Sequence, residues 1–482
     1  MNKNLIELNK SKEPSFSNYK WLLALVLFVF ANSVMLSQTV VNSINQLLPY
    51  LDDDNVHVKM TPGVYTITAD DVKRGKIGSE SSVFSKIRVL LPFEGSNSTY
   101  DFTGVTLRIE TAVFKAFGRY DIFEINITGN NNILKNLTLV DVGSVYDHPT
   151  WRATNIVIDG RENRIEGFHM TTKGSWPYGY GDAFGKGVTT TIKHFKHCAL
   201  LVRGLSNHVK NCTLIHRSYG HAIYMQAADK PIIEGCYIEG EVRKTDDILA
   251  ETSGPAYDID FKTVWKYKLP AGYMVSTGEE GIRAYSGGET VIDGVTYKRG
   301  TSNPTILNNT IKNMRAGVTL THATGKKYVE GCVSIGCERG FAIGSGDIVN
   351  CSSDAIYGPA LGVDYESDSG ITADITLLSD VGEYNGSKHL AIIIGKNHDI
   401  TFRSSDTNFN SSLKLEISGD NRTIGLIGRV KEQSSNNIKI KNLTGYPIIL
   451  GTESKDTSGE SCGDIIDNGI QNKVISSLLC NK

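Results

Sequence analysis

A short pattern recurs along this chain and limits what it can fold into. Two apolar positions and a polar one lead to Asn or Gly, then a small or apolar residue opens the next apolar run. It reads Ile133-Leu134-Lys135-Asn136, then Ile165-Glu166-Gly167-Phe168, Val209-Lys210-Asn211-Cys212 and Ile233-Glu234-Gly235-Cys236. Leu307-Asn308-Asn309-Thr310 and Val329-Glu330-Gly331-Cys332 repeat it further on. Asn211 to Gly235 is 24 residues and Asn309 to Gly331 is 22. A unit that short cannot bury an apolar face alone, so its copies must stack. The Asn or Gly marks a sharp bend between two strands, where a left-handed backbone is needed. At 482 residues the chain is too long for one ordinary core, and a stacked array accommodates that length. The chain is rich in Gly (48) and poor in Pro (12), which suits a turn-dense β protein.

Ahead of the repeat, Val41, Ile44, Leu47, Leu48 and Leu51 fall at helical spacing over Thr39 to Leu51. An alternating stretch, Val56 to Met60, follows, and then Pro62-Gly63-Val64-Tyr65. Helix, strand and Pro-Gly-Val-Tyr turn together resemble the N-terminal cap of secreted right-handed parallel β-helix proteins, the pectin-lyase-like group. The resemblance covers roughly residues 38–450. It implies an all-β fold, a single-stranded right-handed parallel β-helix with an N-terminal capping helix, and a carbohydrate-active protein. No closer family is assigned: the paired Asp of polygalacturonase-type hydrolases, the Asp-Pro-His of mannuronan epimerases and the Asp cluster of calcium-dependent pectate lyases are not found. No cofactor is therefore expected, and calcium stays open without a motif to support it.

Residues 1–37 read as a signal peptide: Lys3, Lys10, Lys12 and Lys20, then an apolar run from Trp21 to Ala31, then Ser33 and Ser37. The run is short for a spanning helix. The expectation is a protein secreted or held in the cell envelope, with no membrane span in the mature chain. Residues 38–450 would form the coil, with insertions near 172–190 and 241–280, and residues 451–482 a C-terminal cap. With 50 basic and 52 acidic residues, a nucleic-acid partner is not expected. Of the eight cysteines, Cys462 and Cys480 bracket the last segment and are the expected disulfide. Cys212, Cys236, Cys332 and Cys351 sit in strand patterns and read as small core residues.

Aligning the strands after the bends pairs Ala199–Arg203 with Ala222–Gln226, Gly281–Tyr285 and Gly317–Thr321. Alternation then points Arg203, Tyr224, Gln226, Arg283 and Tyr285 outward. His216, Arg217 and His221 lie on the adjoining bend, Lys244 on the second insertion, and Arg315 and His322 further along. Trp176, Tyr178 and Trp265 lie on the two insertions flanking this stretch. A locally basic face walled by aromatics suits an acidic polysaccharide or oligosaccharide.

The leading expectation is a lyase that cleaves a uronate-containing glycan by β-elimination. That chemistry needs a cation on the carboxylate, a base for the adjacent proton and an acid for the leaving oxygen. Arg283 and Arg203 would neutralise, His221 or Tyr224 would be the base, and Tyr285 or His216 the acid. Arg217, Gln226, Lys244, Arg315, His322 and the three aromatics would bind substrate. A glycoside hydrolase using a carboxylate pair is the alternative, with Glu239, Glu241, Glu279 and Glu280 as candidates. A uronate epimerase and a non-catalytic glycan-binding or adhesin coil complete the set. The same charges would also suit a solvated outer face without chemistry.

Overall fold

The structure is a computed structural model. It describes residues 38–144, 152–186, 189–378, 384–405, 412–418, 422–423, 429–430, 433–478 and 480. The expected signal segment, 1–37, lies outside them. Among the described residues no helix is long and apolar enough to cross a membrane.

The chain winds into a coil of parallel strands with three faces. One face stacks Ile133–Lys135, Arg164–Glu166, His208–Lys210, Ile232–Glu234, Thr305–Leu307 and Tyr328–Glu330 in parallel. The next stacks Thr138–Val142, His169–Lys173, Thr213–Arg217, Tyr237–Glu239, Thr310–Lys312 and Val333–Ile335. The third is a 14-stranded sheet that includes Arg152–Ile158, Lys196–Leu205, Ile223–Asp229, Ile282–Ala284 and Val318–Thr319. The expected parallel coil is therefore what the backbone forms.

The repeat pattern has a direct physical meaning. In each short strand of the first face only the middle residue points inward, and Leu134, Ile165, Val209, Ile233, Ile306 and Val329 are all fully buried. Each such side chain contributes about 1.5–3 kcal/mol of burial. The bend after it is left-handed: Asn136 (φ 62°), Gly167 (66°), Asn211 (53°), Gly235 (65°) and Gly331 (62°). In the 307–310 copy the bend residue is Asn308 (φ 54°) and not Asn309, which is buried and accepts the Cys236 N–H at 2.8 Å. Gly167 is needed for a second reason. A Cβ there would lie 2.5 Å from Asn136 Oδ1 on the rung beside it.

Other boundaries shift. The helix expected over Thr39–Leu51 is confined to Ile44–Leu47 and a 3-10 turn at Leu48–Tyr50, and Thr39–Val41 is a strand. Parallel pairing also continues past 450: Ile448–Leu450 pairs with Ile465–Asp467, and Ser458–Ser461 with Lys473–Ser476. The segment read as a C-terminal cap therefore carries further coil strands. Cys462 and Cys480 are joined in a disulfide there. Cys198, Cys212, Cys236, Cys332, Cys337 and Cys351 are buried free thiols.

The insertions do not form two opposing walls. They pack into one lobe, with Tyr180, Ala183, Phe184 and Ile192 from the first against Ile248, Ala256, Phe261, Leu269 and Val275 from the second. The Val264 N–H bonds the Ala183 carbonyl at 3.0 Å, and Tyr180 Oη donates to Glu251 at 2.9 Å. A hairpin, Glu289–Ile292 with Val295–Lys298, forms an antiparallel pair beside the third face.

Candidate functional site

The register expected for the third face holds. Leu201, Tyr224, Arg283 and Thr319 occupy one row across neighbouring strands. The surroundings of that row differ from the expectation, because much of its outer side is covered. Tyr224 is only 8% exposed and packs with Val89, Phe123, Val157, Cys198 and Leu201.

The chemically dense point lies where His221 meets the segment leaving the second insertion. The strand Met274–Ser276 ends the lobe and runs directly to Glu279 and Glu280. His221 Nε2 is 2.7 Å from Tyr285 Oη and 3.3 Å from Glu279 Oε2, while Nδ1 is 3.0 Å from Glu280 Oε2. All three of His221, Glu279 and Glu280 are 4% exposed. Lys196, from the neighbouring strand, donates to Glu279 Oε1. Glu280 Oε1 accepts from Arg283 at 3.1 Å and from Arg315 at 2.9 Å. Arg315 reaches Asp182 of the first insertion at 2.7 Å, and Asp182 accepts from Tyr219 Oη at 2.7 Å. Glu338 accepts the Ser276 N–H at 2.7 Å.

Electrostatics sorts these groups. Burial alone would raise Glu279, but the imidazolium form of His221 and Lys196 outweigh it and hold the carboxyl at about 2. Glu280 is likewise held well below the carboxylate range, because Arg283 and Arg315 outweigh its burial. Glu338 goes the other way: burial pushes it up to about 7 against the pull of Arg315. The Tyr285 phenol is raised by burial and by Glu279 and Glu280. The site therefore holds two ionised carboxylates, one carboxyl that titrates near neutrality and a protonated phenol. Among its cations Arg283 gives Nη1 to Glu280 and keeps a side chain that is 17% exposed.

Several candidates are not where the sequence places them. Tyr224 is poorly placed for a base: burial raises its phenol, and Oη is 3.2 Å from Thr154 Oγ1. His216 points into the coil, is 1% exposed and bonds the Gly220 carbonyl at 2.9 Å. Burial holds it at about 4, so it is neutral and offers no proton near neutral pH. Arg203 lies over the rings of Phe84 and Phe123, 3.8 Å from Asp159, away from the His221 cluster. Gln226 is half-buried against Gly288.

Arg217, Glu239, Glu241 and Tyr178 form a separate groove with Arg243 and Thr277. Arg217 bridges Glu239 at 2.9 Å and Glu241 at 3.0 Å, and Tyr178 donates to Glu241. The carboxylates Glu239 and Glu241 are thus engaged there and not beside Tyr224. Trp265 stacks on Tyr267 within the lobe, and Trp176 is half-buried with its backbone paired to Phe195. Lys244 lies over the Tyr384 ring, and the His322 ring is 6.5 Å from Tyr365. The locally basic face is largely neutralised, because Arg217, Arg283 and Arg315 each hold a carboxylate.

Sequence reasoning missed Asp182, Lys196 and Glu338, and gave no role to Tyr219 on the bend that carries His221. Asp182 reaches Arg315 only through the folded lobe, whereas Glu338 lies on the rung beside it, its N–H bonded to the Met314 carbonyl at 3.3 Å. Lys196 lies three residues ahead of the aligned run Ala199–Arg203, on a strand that begins earlier, at Lys196.

No family model matches the chain, and no curated protein sequence matches it. Similar solved structures include the catalytic domain of a GH87 alpha-1,3-glucanase in complex with nigerose, 12% identical over 93% of this chain and 69% of that one, TM-score 0.36. A mannuronic acid specific polysaccharide family 6 lyase from human gut microbiota is 10% identical over 92% and 87%, TM-score 0.44. The A-module of the Azotobacter vinelandii mannuronan C-5 epimerase AlgE6 is 10% identical over 87% and 85%, TM-score 0.33. At these identities and TM-scores none of them assigns an activity or substrate to this chain.

Proposed function

We propose that this protein is a carbohydrate-active enzyme that cleaves a uronate-containing glycan by β-elimination at the His221–Tyr285 pair. The observation that carries this reading is the chain of contacts Glu280–His221–Tyr285, at 3.0 and 2.7 Å. A carboxylate in ion-pair contact with one ring nitrogen and a phenol hydrogen-bonded to the other suit an acid–base relay. With Tyr224 and His216 set aside, His221 is the base and Tyr285 the acid. The unspent donors of Arg283 face the uronate carboxylate and make the adjacent proton acidic. His221 Nε2 takes that proton as the C–O bond breaks, and Tyr285 Oη protonates the leaving oxygen. The contact between the two then returns the proton from imidazolium to phenolate and resets the pair.

Hydrolysis is the second reading, and Glu338 is what favours it. A carboxyl titrating at about 7, near the ionised Glu280, is what an acid–base hydrolase needs. A panel of uronate and neutral polysaccharides separates the two. Elimination creates a conjugated double bond that absorbs in the ultraviolet, whereas hydrolysis yields reducing ends without it. Reducing ends without absorbance, abolished by Glu338→Gln, would replace the lyase reading with the hydrolase one. Retention of glycan without any change in its length would replace both with a binding coil.

A further inference from the structure

Inside the coil, on the far side of the strand that carries Lys196, lies a second polar cluster that the proposed reaction does not use. Glu124, Asp141 and His197 are 0%, 1% and 0% exposed. One ligand atom from each lies within 4.8 Å of the others. Asn155 Nδ2 donates to Glu124 Oε2 at 2.6 Å and to Asp141 Oδ2 at 3.0 Å, and the Lys173 N–H donates to Asp141 Oδ2 at 2.8 Å. Thr172 Oγ1 fixes Asn155 through its Oδ1 at 2.6 Å. Glu124 Oε1 is buried with no hydrogen-bond partner. Among the described residues no lysine or arginine forms an ion pair with either carboxylate.

The histidine is already oriented. Its Nδ1 is 2.5 Å from the Lys173 carbonyl oxygen. A carbonyl only accepts, so Nδ1 carries the hydrogen. Nε2 then faces Glu124 Oε1 at 3.8 Å, with Asp141 Oδ2 3.6 Å from Nδ1. In the neutral ring that sets a lone pair against a carboxyl oxygen in the coil interior, which is unfavourable unless a proton or a cation lies between them. Two ligand atoms each about 2.1 Å from one metal ion can be separated by this distance. A metal-ligating imidazole typically donates its other N–H to a backbone carbonyl, and ligating carboxylates are held by further hydrogen bonds. Lys173 and Asn155 supply both kinds of support.

We propose that Glu124, Asp141 and His197 form a structural site in the coil interior for a divalent transition metal of the zinc class. The imidazole suits zinc and its neighbours, the carboxylate oxygens suit these and Mn2+, and three protein ligands leave a further coordination position open. The ion would clamp four elements of three successive turns: Asp121–Ile127, Thr138–Val142, Arg152–Ile158 through Asn155, and Lys196–Leu205.

The test uses the full chain, unfolded in chelator and refolded with Zn2+ alone, with Mn2+ alone, or with neither. Retained metal is counted by elemental analysis after desalting, and the thermal midpoint is read by circular dichroism. One ion per chain and a higher midpoint with metal are expected. Glu124→Gln and His197→Gln should each weaken retention by about tenfold or more. Cys332→Ser should retain metal fully, which separates this cluster from the buried thiols. Equal midpoints with and without metal, no retained ion, or unchanged retention in Glu124→Gln and His197→Gln would overturn the proposal. If those variants do not fold, the wild-type comparison decides alone, since refolding to the same midpoint without metal overturns it.

Discussion

Tyr285 and His221 carry the reaction proposed here, and each makes a separable prediction. Tyr285→Phe keeps the ring against Arg283 but removes the proton, so kcat should fall by about 100- to 10,000-fold with KM little changed. His221→Gln should fall comparably, and the double variant should be no worse than the worse single one, because the two act as a unit. Continuous ultraviolet absorbance on a uronate polymer reads both, and full additivity would count against the relay. Two buried groups should leave opposite marks on stability. His216 is held at about 4 from an ordinary 6.5, so the unfolded chain binds its proton first. The stability this contributes is present above pH 6.5 and lost as pH falls towards 4, on the order of 3 kcal/mol. Relative to wild type, the melting temperature of His216→Gln should therefore rise as pH drops through that window. Glu338 is raised to about 7 from 4.5, so its contribution is present below pH 4.5 and lost as pH rises through 7. Glu338→Gln should gain on wild type in that opposite direction. Flat difference curves would refute the corresponding burial argument.

The short strands and their bends are the part of this molecule that the chain spells out most directly. Each inward apolar residue is fixed by alternation, and each bend by a residue tolerant of positive φ, so both are local facts. That is why the row Leu201, Tyr224, Arg283 and Thr319 is legible in the sequence. Where two asparagines adjoin, local information is exhausted. Asn308 and Asn309 are equally suited to the bend, and only burial of Asn309 beneath Cys236 decides between them. Stacked asparagines bonding from rung to rung are expected of such a repeat, but the buried ladder lies at positions the repeat does not mark. The Asn132 N–H bonds Asn163 Oδ1 at 2.9 Å, the Asn163 N–H bonds Asn207 Oδ1 at 2.8 Å, and Asn163 Nδ2 holds the Gly129 carbonyl at 2.7 Å. Asn163→Ala would strand buried partners on both neighbouring rungs and should cost about 2–4 kcal/mol. Chemical denaturation should show a lower midpoint at unchanged slope.

Long-range assembly decides what the sequence could not. Outward side chains of a coil strand meet solvent unless something covers them, and here the covering depends on how the non-repeating segments fold. The lobe brings Asp182 to Arg315, and its exit strand delivers Glu279 and Glu280 to His221, which no period announces. It also turns isolated positive charges into internal pairs, which is why the expected basic face is mostly spent. A stacked array responds to damage locally, since each rung contacts only its neighbours. The Cys462–Cys480 disulfide closes an 18-residue separation at the last strands, a loop worth about 3 kcal/mol in the chain-entropy account. Replacing both cysteines with serine should therefore speed hydrogen exchange in 458–476 and leave the turns around His221 unchanged. Acceleration spread evenly along the coil would show that the rungs melt as one unit.

The strand Lys196–Leu205 carries Lys196 outward to Glu279 and, one residue on, His197 inward to Glu124 and Asp141. Two chemistries thus share one reading frame. Adding or deleting a single amino acid just before this strand's first turn would exchange them, sending an imidazole to the site and an ammonium into the interior. Past the irregularity between Val202 and Gly204 the frame is already interrupted, so length changes there are absorbed. Lineages of such a chain should accumulate insertions and deletions after Gly204 and be purged of them between Lys196 and Val202.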